Sequence, residues 1–340
     1  MIYRSKAPLR LGLAGGGTDV SPYCDLYGGA ILNATLTLYA HASIRLLDNG
    51  KIIFNAVDRN CRSEYDLSEF ITPEPYLDLH AGVYNRLIRQ YKIKAFPHEL
   101  TTSVDAPPGS GLGTSSTLVV AILGAYTELL KLPLGEYDIA SLAYEIERKD
   151  LNMAGGKQDQ YAATFGGVNF MEFTSNEKVI VNPLRIRQRN LDELSHNLLL
   201  YYTETSRLSS SIIENQTKNV NSGNEESIHA MHKLKEQAIM MKEALLRGDL
   251  DAIGQILDFG WKHKKNMANG ISNPFIDDIY ETALKAGASG GKISGAGGGG
   301  FMTFYCPGNN RYNVEIALQK FGGSVRNYEF TPHGLATWSV

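Results

Sequence analysis

The sequence predicts an α+β protein built of two packed domains. Three observations predict it. The chain has 340 residues, and domains run to roughly 100–200 residues each. Short apolar runs broken by turns dominate the first hundred residues, whereas helical spacing dominates the second half. The strands do not alternate regularly with helices, as a doubly wound parallel sheet would require.

The elements follow in order. Leu9–Leu13, Ala30–Leu38, His41–Leu47 and Lys51–Asn55 read as strands, with Asp48-Asn49-Gly50 as a hairpin turn. Asp78–Tyr91 carries Leu79, Val83, Leu87 and Ile88 at helical spacing. His98–Val104 reads as a strand and Asp105–Gly113 as a loop. Thr114–Leu130 is a long apolar helix. Leu134–Asn152 is a second helix, introduced by Pro133 and ended near Gly155-Gly156. Val168–Phe173 and Val179–Pro183 form a hairpin. The polar, charged stretch Arg185–Ser195 marks a domain boundary, dividing the chain into residues 1–190 and 191–340. Beyond it, Leu198–Thr203 is a strand, and Gly223–Arg247, Leu250–Met267 and Pro274–Ala286 are helical, the last with Asn273 as its cap. Lys292–Ser294 and Phe301–Tyr305 are strands, Asn313–Phe321 a helix and Ser324–Phe330 the final strand. No internal repeat is present.

Bulk properties exclude several classes. The net charge of −3 gives no field for nucleic acid or an anionic membrane. Cys24, Cys61 and Cys306 are far apart and odd in number, so they read as free thiols in a reducing compartment, with no zinc site. No apolar run is long enough to span a membrane, and the first residues lack the apolar core of a signal peptide. The expected location is the cytoplasm.

Glycine is the informative residue. The 34 glycines cluster, most densely at Gly12–Gly17, Gly109–Gly113 and Gly287–Gly300. In Pro107-Pro108-Gly109-Ser110-Gly111-Leu112-Gly113-Thr114-Ser115-Ser116, three glycines at alternate positions let several N–H groups converge beside a helix N-terminus. That reads as an anion site, with a glycine-rich turn carrying an ordinary Ser/Thr cap as the alternative. Thr114, Ser115 and Ser116 can cap the helix or bind a Mg²⁺ that bridges phosphates. No lysine follows Gly113, which excludes a Walker A loop. Glu128 falls inside the helix, which excludes a dinucleotide fingerprint.

Carboxylates that suit phosphoryl transfer lie nearby in sequence. Glu145 and Glu147 face different sides of the following helix, and Asp159 follows the Gly155-Gly156 break. Lys157 stands beside it and suits a substrate phosphate or a lowered Asp159 pKa. Each is also the kind of charge found on plain surfaces. Arg10 and Asp19 flank the first glycine cluster, where Asp19 either accepts from a polyol or caps a helix. The run Ser294–Gly300 is costly to order, and either a ligand or a domain contact offsets that cost. Lys262-His263-Lys264-Lys265 reads as a solvated helix face, and Met240-Met241 as core.

Three segments in order, Ala7–Asp19, Pro107–Ser116 and Lys292–Gly300, resemble the three motifs of the GHMP kinases, over nearly the whole chain. That resemblance implies an N-terminal domain similar to ribosomal protein S5 domain 2 and a ferredoxin-like C-terminal domain. It implies that Pro107, Gly109, Ser110, Gly111, Leu112, Gly113, Thr114, Ser115 and Ser116 wrap the ATP phosphates. Ser115 and Glu147 match the Mg²⁺ ligands, Asp159 the proposed base, and Arg10 the cation that polarises the acceptor and holds that aspartate. Gly16, Gly17, Thr18 and Asp19 match a sugar clamp, and Gly297, Gly298 and Gly299 the third motif of the substrate pocket. Within the family, Leu11–Asp19 and Gly156–Ala162 look most like D-glycero-D-manno-heptose 7-phosphate kinases. This implies phosphorylation at the anomeric hydroxyl, to the 1,7-bisphosphate, for nucleotide-activated heptose and surface polysaccharide. Lys157 and Arg207 are the expected contacts of the 7-phosphate. A fucokinase-like or other sugar kinase is the alternative, and a non-catalytic sugar sensor on the same fold is the alternative of another class. A homo-oligomer stays open.

Overall fold

The structure is a computed structural model that describes residues 1–175, 178–205 and 209–340. Two sheets organise it. The first is eight-stranded. It opens with β1 (Ile2–Ala14), then helix α1 (Tyr23–Tyr27), β2 (Gly29–Leu46), β3 (Lys51–Ala56) and β4 (Cys61–Asp66). Helix α2 (Asp78–Tyr91), β5 (His98–Val104), α3 (Thr114–Leu130), α4 (Glu136–Glu145) and α5 (Gln158–Phe165) follow, then the hairpin β6 (Val168–Phe173) and β7 (Val179–Pro183).

Helix α6 (Gln188–Asn197) leads to the second sheet, which begins at β8 (Leu198–Tyr202). Then come α7 (Ser209–Asn221), α8 (Glu225–Arg247), α9 (Ala252–Lys264) and α10 (Pro274–Lys285). They are followed by β9 (Gly290–Ile293), β10 (Phe301–Tyr305), α11 (Asn310–Leu318) and β11 (Ser324–Val325). The four antiparallel strands run β11-β8-β10-β9. The last strand, β12 (Ala336–Ser339), returns to pair with β1, so the chain ends on the first sheet. Among the described residues no helix is long and apolar enough to cross a membrane.

Several expectations change. The turn at Asp48–Gly50 does not close a hairpin, because β5 inserts between β2 and β3 and pairs parallel with β3. The two strands expected over Ala30–Leu47 are one, β2, whose first half pairs with β6 and second half with β5. The second helix breaks after Glu145 into a single π turn, Ile146–Asp150. The final strand shrinks to Ser324–Val325, while α1, β4, α5, α6, α7 and β12 had no expectation.

Helix α3 is apolar all round and therefore buried: twelve of its seventeen residues are buried, eight of them in the core against the first sheet. Its N-terminus is fixed by that packing. A second core joins the two sheets, where Leu9, Leu11 and Leu13 of β1 meet Leu200, Met241, Leu257 and Phe301. The ends of β1, α3 and α9 are thereby held about one cleft.

Candidate active site

The cleft has a volume of about 480 Å³ and gathers residues from all three glycine clusters. Its floor is the loop before α3. Gly109, Gly111 and Gly113 adopt φ values of 71°, 84° and 77°, which glycine reaches without strain. This conformation alternates the loop. Gly109, Gly111 and Gly113 face the cleft, while Ser110 and Leu112 are buried beneath it. Pro107 does not line the cleft; its carbonyl accepts from Ser110 N. Phe301 N donates to Ser110 O, and Arg10 N to Leu112 O, so the loop hangs on strands of both sheets. No side chain caps α3, and its first turn carries no acid. The free amides and the positive end of the helix therefore face the cleft, with Thr114, Ser115 and Ser116 beside them.

Arg10 and Asp159, 149 residues apart, meet in this cleft. Arg10 Nε donates to Asp159 Oδ1 at 2.7 Å, and its Nη1 donates to Gly111 O. The register of β1 against β2 shifts between Pro8 and Arg10, and such a bulge re-aims a side chain. Asp159 Oδ2 lies 3.1 Å from where a Cβ on Gly113 would stand, which puts the carboxylate against the start of α3.

Glu147 sits in the π turn after α4, 1% exposed. Gln160 Nε2 donates to Glu147 Oε2 at 2.5 Å and to Ser116 Oγ at 3.0 Å. Burial raises the Glu147 carboxyl above its ordinary range, opposed by the Arg148 charge and by hydrogen bonds from Ser116 and Gln160. Hydroxyl and carboxylate oxygens together suit a hard divalent cation.

Asp19 is buried, yet it lines the cleft. Its Oδ2 accepts from Lys157 N at 2.8 Å and Gln158 N at 3.0 Å, so it caps the remote helix α5. Burial raises its pKa, and these amides oppose the rise.

Other expected site residues sit elsewhere. The Thr18 hydroxyl is spent on Gly15 O and Ala30 O, each at 2.9 Å, and accepts from Ala30 N, so it braces the turn instead of facing a ligand. Gly17 lines the cleft; Gly16 lies behind it, near Lys264. Gly297 and Gly298 pack on Ile271 and Gly299 on Thr205; the third cluster reaches the cleft through Gly295 and Ala296. Lys157 is buried away from the cleft, its Nζ 3.7 Å from Asp25 and 4.0 Å from Cys24 Sγ. Arg207 lies outside the described residues.

Lys264 corrects the solvated-face reading. Lys262 and Lys265 reach Asp258 and Asp277 at the surface, but Lys264 is 3% exposed and lines the cleft. Its Nζ donates to Gly295 O at 2.5 Å. Burial lowers its pKa to about 8, aided by the Arg10 charge and opposed by Asp19.

Comparison with known proteins now decides the family. Residues 78–167 match the GHMP kinases N terminal domain, and residues 241–323 match GHMP kinases C terminal. The chain is 48% identical over 337 residues to the D-glycero-alpha-D-manno-heptose 7-phosphate kinase of Campylobacter jejuni, covering 99% of each. This chain belongs to the GHMP kinases. It is 27% identical over 325 residues to the L-fucokinase/L-fucose-1-P guanylyltransferase of Bacteroides fragilis, covering 88% of this chain and 34% of that one. Among solved structures, a D-glycero-D-manno-heptose 1-phosphate kinase from Bacteroides thetaiotaomicron superposes with a TM-score of 0.85 at 45% identity, over 99% of both chains. The galactokinase of Lactococcus lactis shares the fold, with a TM-score of 0.77 at 18% identity, over 98% of this chain and 95% of that one. The GHMP kinase is thus a phosphotransferase with the α+β fold of its family, whose phosphoryl donor is ATP.

Proposed function

We propose that this GHMP kinase transfers the terminal phosphoryl group of ATP to the anomeric hydroxyl of D-glycero-D-manno-heptose 7-phosphate, giving the 1,7-bisphosphate. The product would supply nucleotide-activated heptose for surface polysaccharide. The observation that carries the reading is the Arg10–Asp159 pair set against the uncapped start of α3. The substrate rests on end-to-end similarity to a kinase named for it.

The chemistry follows from the geometry. Amides of the Gly109–Ser116 loop and helix start hold the phosphates of ATP. Asp159 takes the proton of the acceptor hydroxyl as its oxygen bonds to the γ-phosphorus and the bond to the leaving ADP oxygen breaks. Arg10 holds that carboxylate through Nε and the loop through Nη1, fixing base and donor in one frame. Ser115 and Glu147 are the residues that would hold Mg²⁺, which neutralises phosphate charge when bound. Gln160 and Ser116 keep Glu147 in place for it. The division of labour falls near residue 190, with the ATP loop and base before it.

Asp159→Asn tests the base. Turnover should fall about 10³-fold while ATP affinity holds, and near-normal turnover would remove Asp159 from that role. A panel of heptose 7-phosphate, unphosphorylated heptose and fucose tests the substrate, with ³¹P NMR locating the new phosphate. Preference for an unphosphorylated sugar overturns the reading. A second reading comes from the relative named as a heptose 1-phosphate kinase. There the acceptor is the 7-hydroxyl, and the product is the same bisphosphate. Adding heptose 1-phosphate to the panel separates the two.

A further inference from the structure

Lys264 ends α9 with its ammonium where the glycine clusters converge. Its Nζ donates to Gly295 O, and a Cβ on Gly16 would lie 3.6 Å from it. Gly295 packs directly on the backbone of Gly111 in the phosphate loop. Burying a cation is costly unless an anion and hydrogen bonds compensate. An ammonium offers three donors. Among the described residues, Gly295 O is its hydrogen-bond partner, which leaves two donors for the cleft. The carboxylate of Asp19 is near enough to act on its charge, but that carboxylate is already taken by the amides of Lys157 and Gln158.

The other cations of the cleft are engaged. Arg10 is held by Asp159 and Gly111 O. Arg148 is turned to the carbonyls of Met153 and Gly156. Lys157 lies outside the cleft. Among the described residues that line it, Lys264 is the one lysine, and a single backbone carbonyl holds its ammonium.

We propose that Lys264 binds a phosphate oxygen in the cleft, where the Gly16 turn meets the phosphate loop. The assignment rests on the functional reading above. A phosphate oxygen reaches this position from two sources, the sugar's distal phosphate or the phosphoryl group in transit, and kinetics separate them.

The experiment compares wild type, Lys264→Met and Lys264→Arg on heptose 7-phosphate and on unphosphorylated heptose, with thermal unfolding and the KM for ATP as checks of the fold. Losing a charged hydrogen bond of this kind should raise the KM for heptose 7-phosphate on the order of 100-fold in Lys264→Met. The KM for unphosphorylated heptose and for ATP should stay within threefold, and Lys264→Arg should recover most of the loss. A fall in kcat on both sugars, with every KM held and with rescue by Lys264→Arg, assigns the oxygen to the phosphoryl group in transit. Unchanged kinetics in Lys264→Met, or an equal rise in KM on both sugars, overturns the proposal. Wild type indifferent to the sugar's phosphate refutes the functional reading and the sugar-phosphate assignment with it. Wild-type preference retained by Lys264→Met refutes the role of Lys264 alone.

Discussion

Gly156→Ala places a methyl group in the wall of the cleft, against Asp19. A Cβ there would lie 1.9 Å from Asp19 Oδ2 and 2.4 Å from its Cγ. The backbone has little room to retreat, because Arg148 holds the Gly156 carbonyl. Asp19 must therefore move, and it is 2% exposed with its Oδ2 on two amides. A hydrogen bond to a charged group contributes about 1.5–3 kcal/mol. Losing both, with partial relaxation, puts the destabilisation at about 3–5 kcal/mol. The same shift releases the first turn of α5, which carries Asp159. A displacement near 1 Å costs about 10² in kcat. Urea unfolding and steady-state kinetics on Gly156→Ala, Asp19→Ala and the double variant measure both effects. In the Asp19→Ala background the three atoms nearest that methyl are gone, so it should add less than about 1 kcal/mol and the two changes should couple strongly. Costs that add within about 0.5 kcal/mol, or a Gly156→Ala midpoint equal to wild type, would refute the reasoning.

Gly113→Ala forces a side chain into the left-handed region at φ 77° and against Asp159 Oδ2. Strain of about 1–2 kcal/mol should weaken ATP roughly tenfold, read by calorimetric titration. His80 and His98 are buried, and burial lowers both pKa values from 6.5 to about 4. Their neutral forms contribute stability above pH 6.5 that is lost as pH falls toward 4, about 3 kcal/mol each. The urea midpoint should drop between pH 7 and 4.5, and less so in His98→Phe. The ammonium of Lys264 faces Arg10, Lys292 and Asp19 and carries its charge below about pH 8. The KM for heptose 7-phosphate should rise above that pH in wild type and stay flat in Lys264→Met.

Legibility in the sequence followed locality. Helix α3 was readable to its ends, because an apolar stretch after a Gly-Ser-Thr loop is a local pattern. The phosphate loop was readable for the same reason, although Ser110 and Leu112 turned out to anchor it from below. The Arg10–Asp159 contact has no spacing to betray it, and only family resemblance joined the two. Lys264 was hidden by its neighbours. Three cations in four residues look solvated, and only the packing of α9 against β1 and β9 shows which of them turns inward. Lys157 failed in the opposite sense. Its place beside Asp159 suggested a ligand, but consecutive residues at a helix start point in different directions. The hairpin at Asp48–Gly50 failed because turn chemistry reports a reversal of the chain and says nothing of a strand that inserts later.

That divergence of neighbouring residues is also what makes the start of α5 the hub of the cleft. The amides of Lys157 and Gln158 bind Asp19, which follows the first glycine turn. Asp159 binds Arg10 and rests on Gly113. Gln160 binds both Glu147 and Ser116. Four consecutive residues thus fix the first glycine turn, the proposed base and the oxygens suited to a metal relative to one another, and no flexible segment intervenes. A phosphoryl transfer with little covalent chemistry depends on positioning. Rigid coupling of this kind means that a change at any one contact is felt at the other two. Substitutions at Asp19, Asp159 and Gln160 should therefore be non-additive in kcat, although the first and last residues are far apart in sequence and need touch no reacting atom.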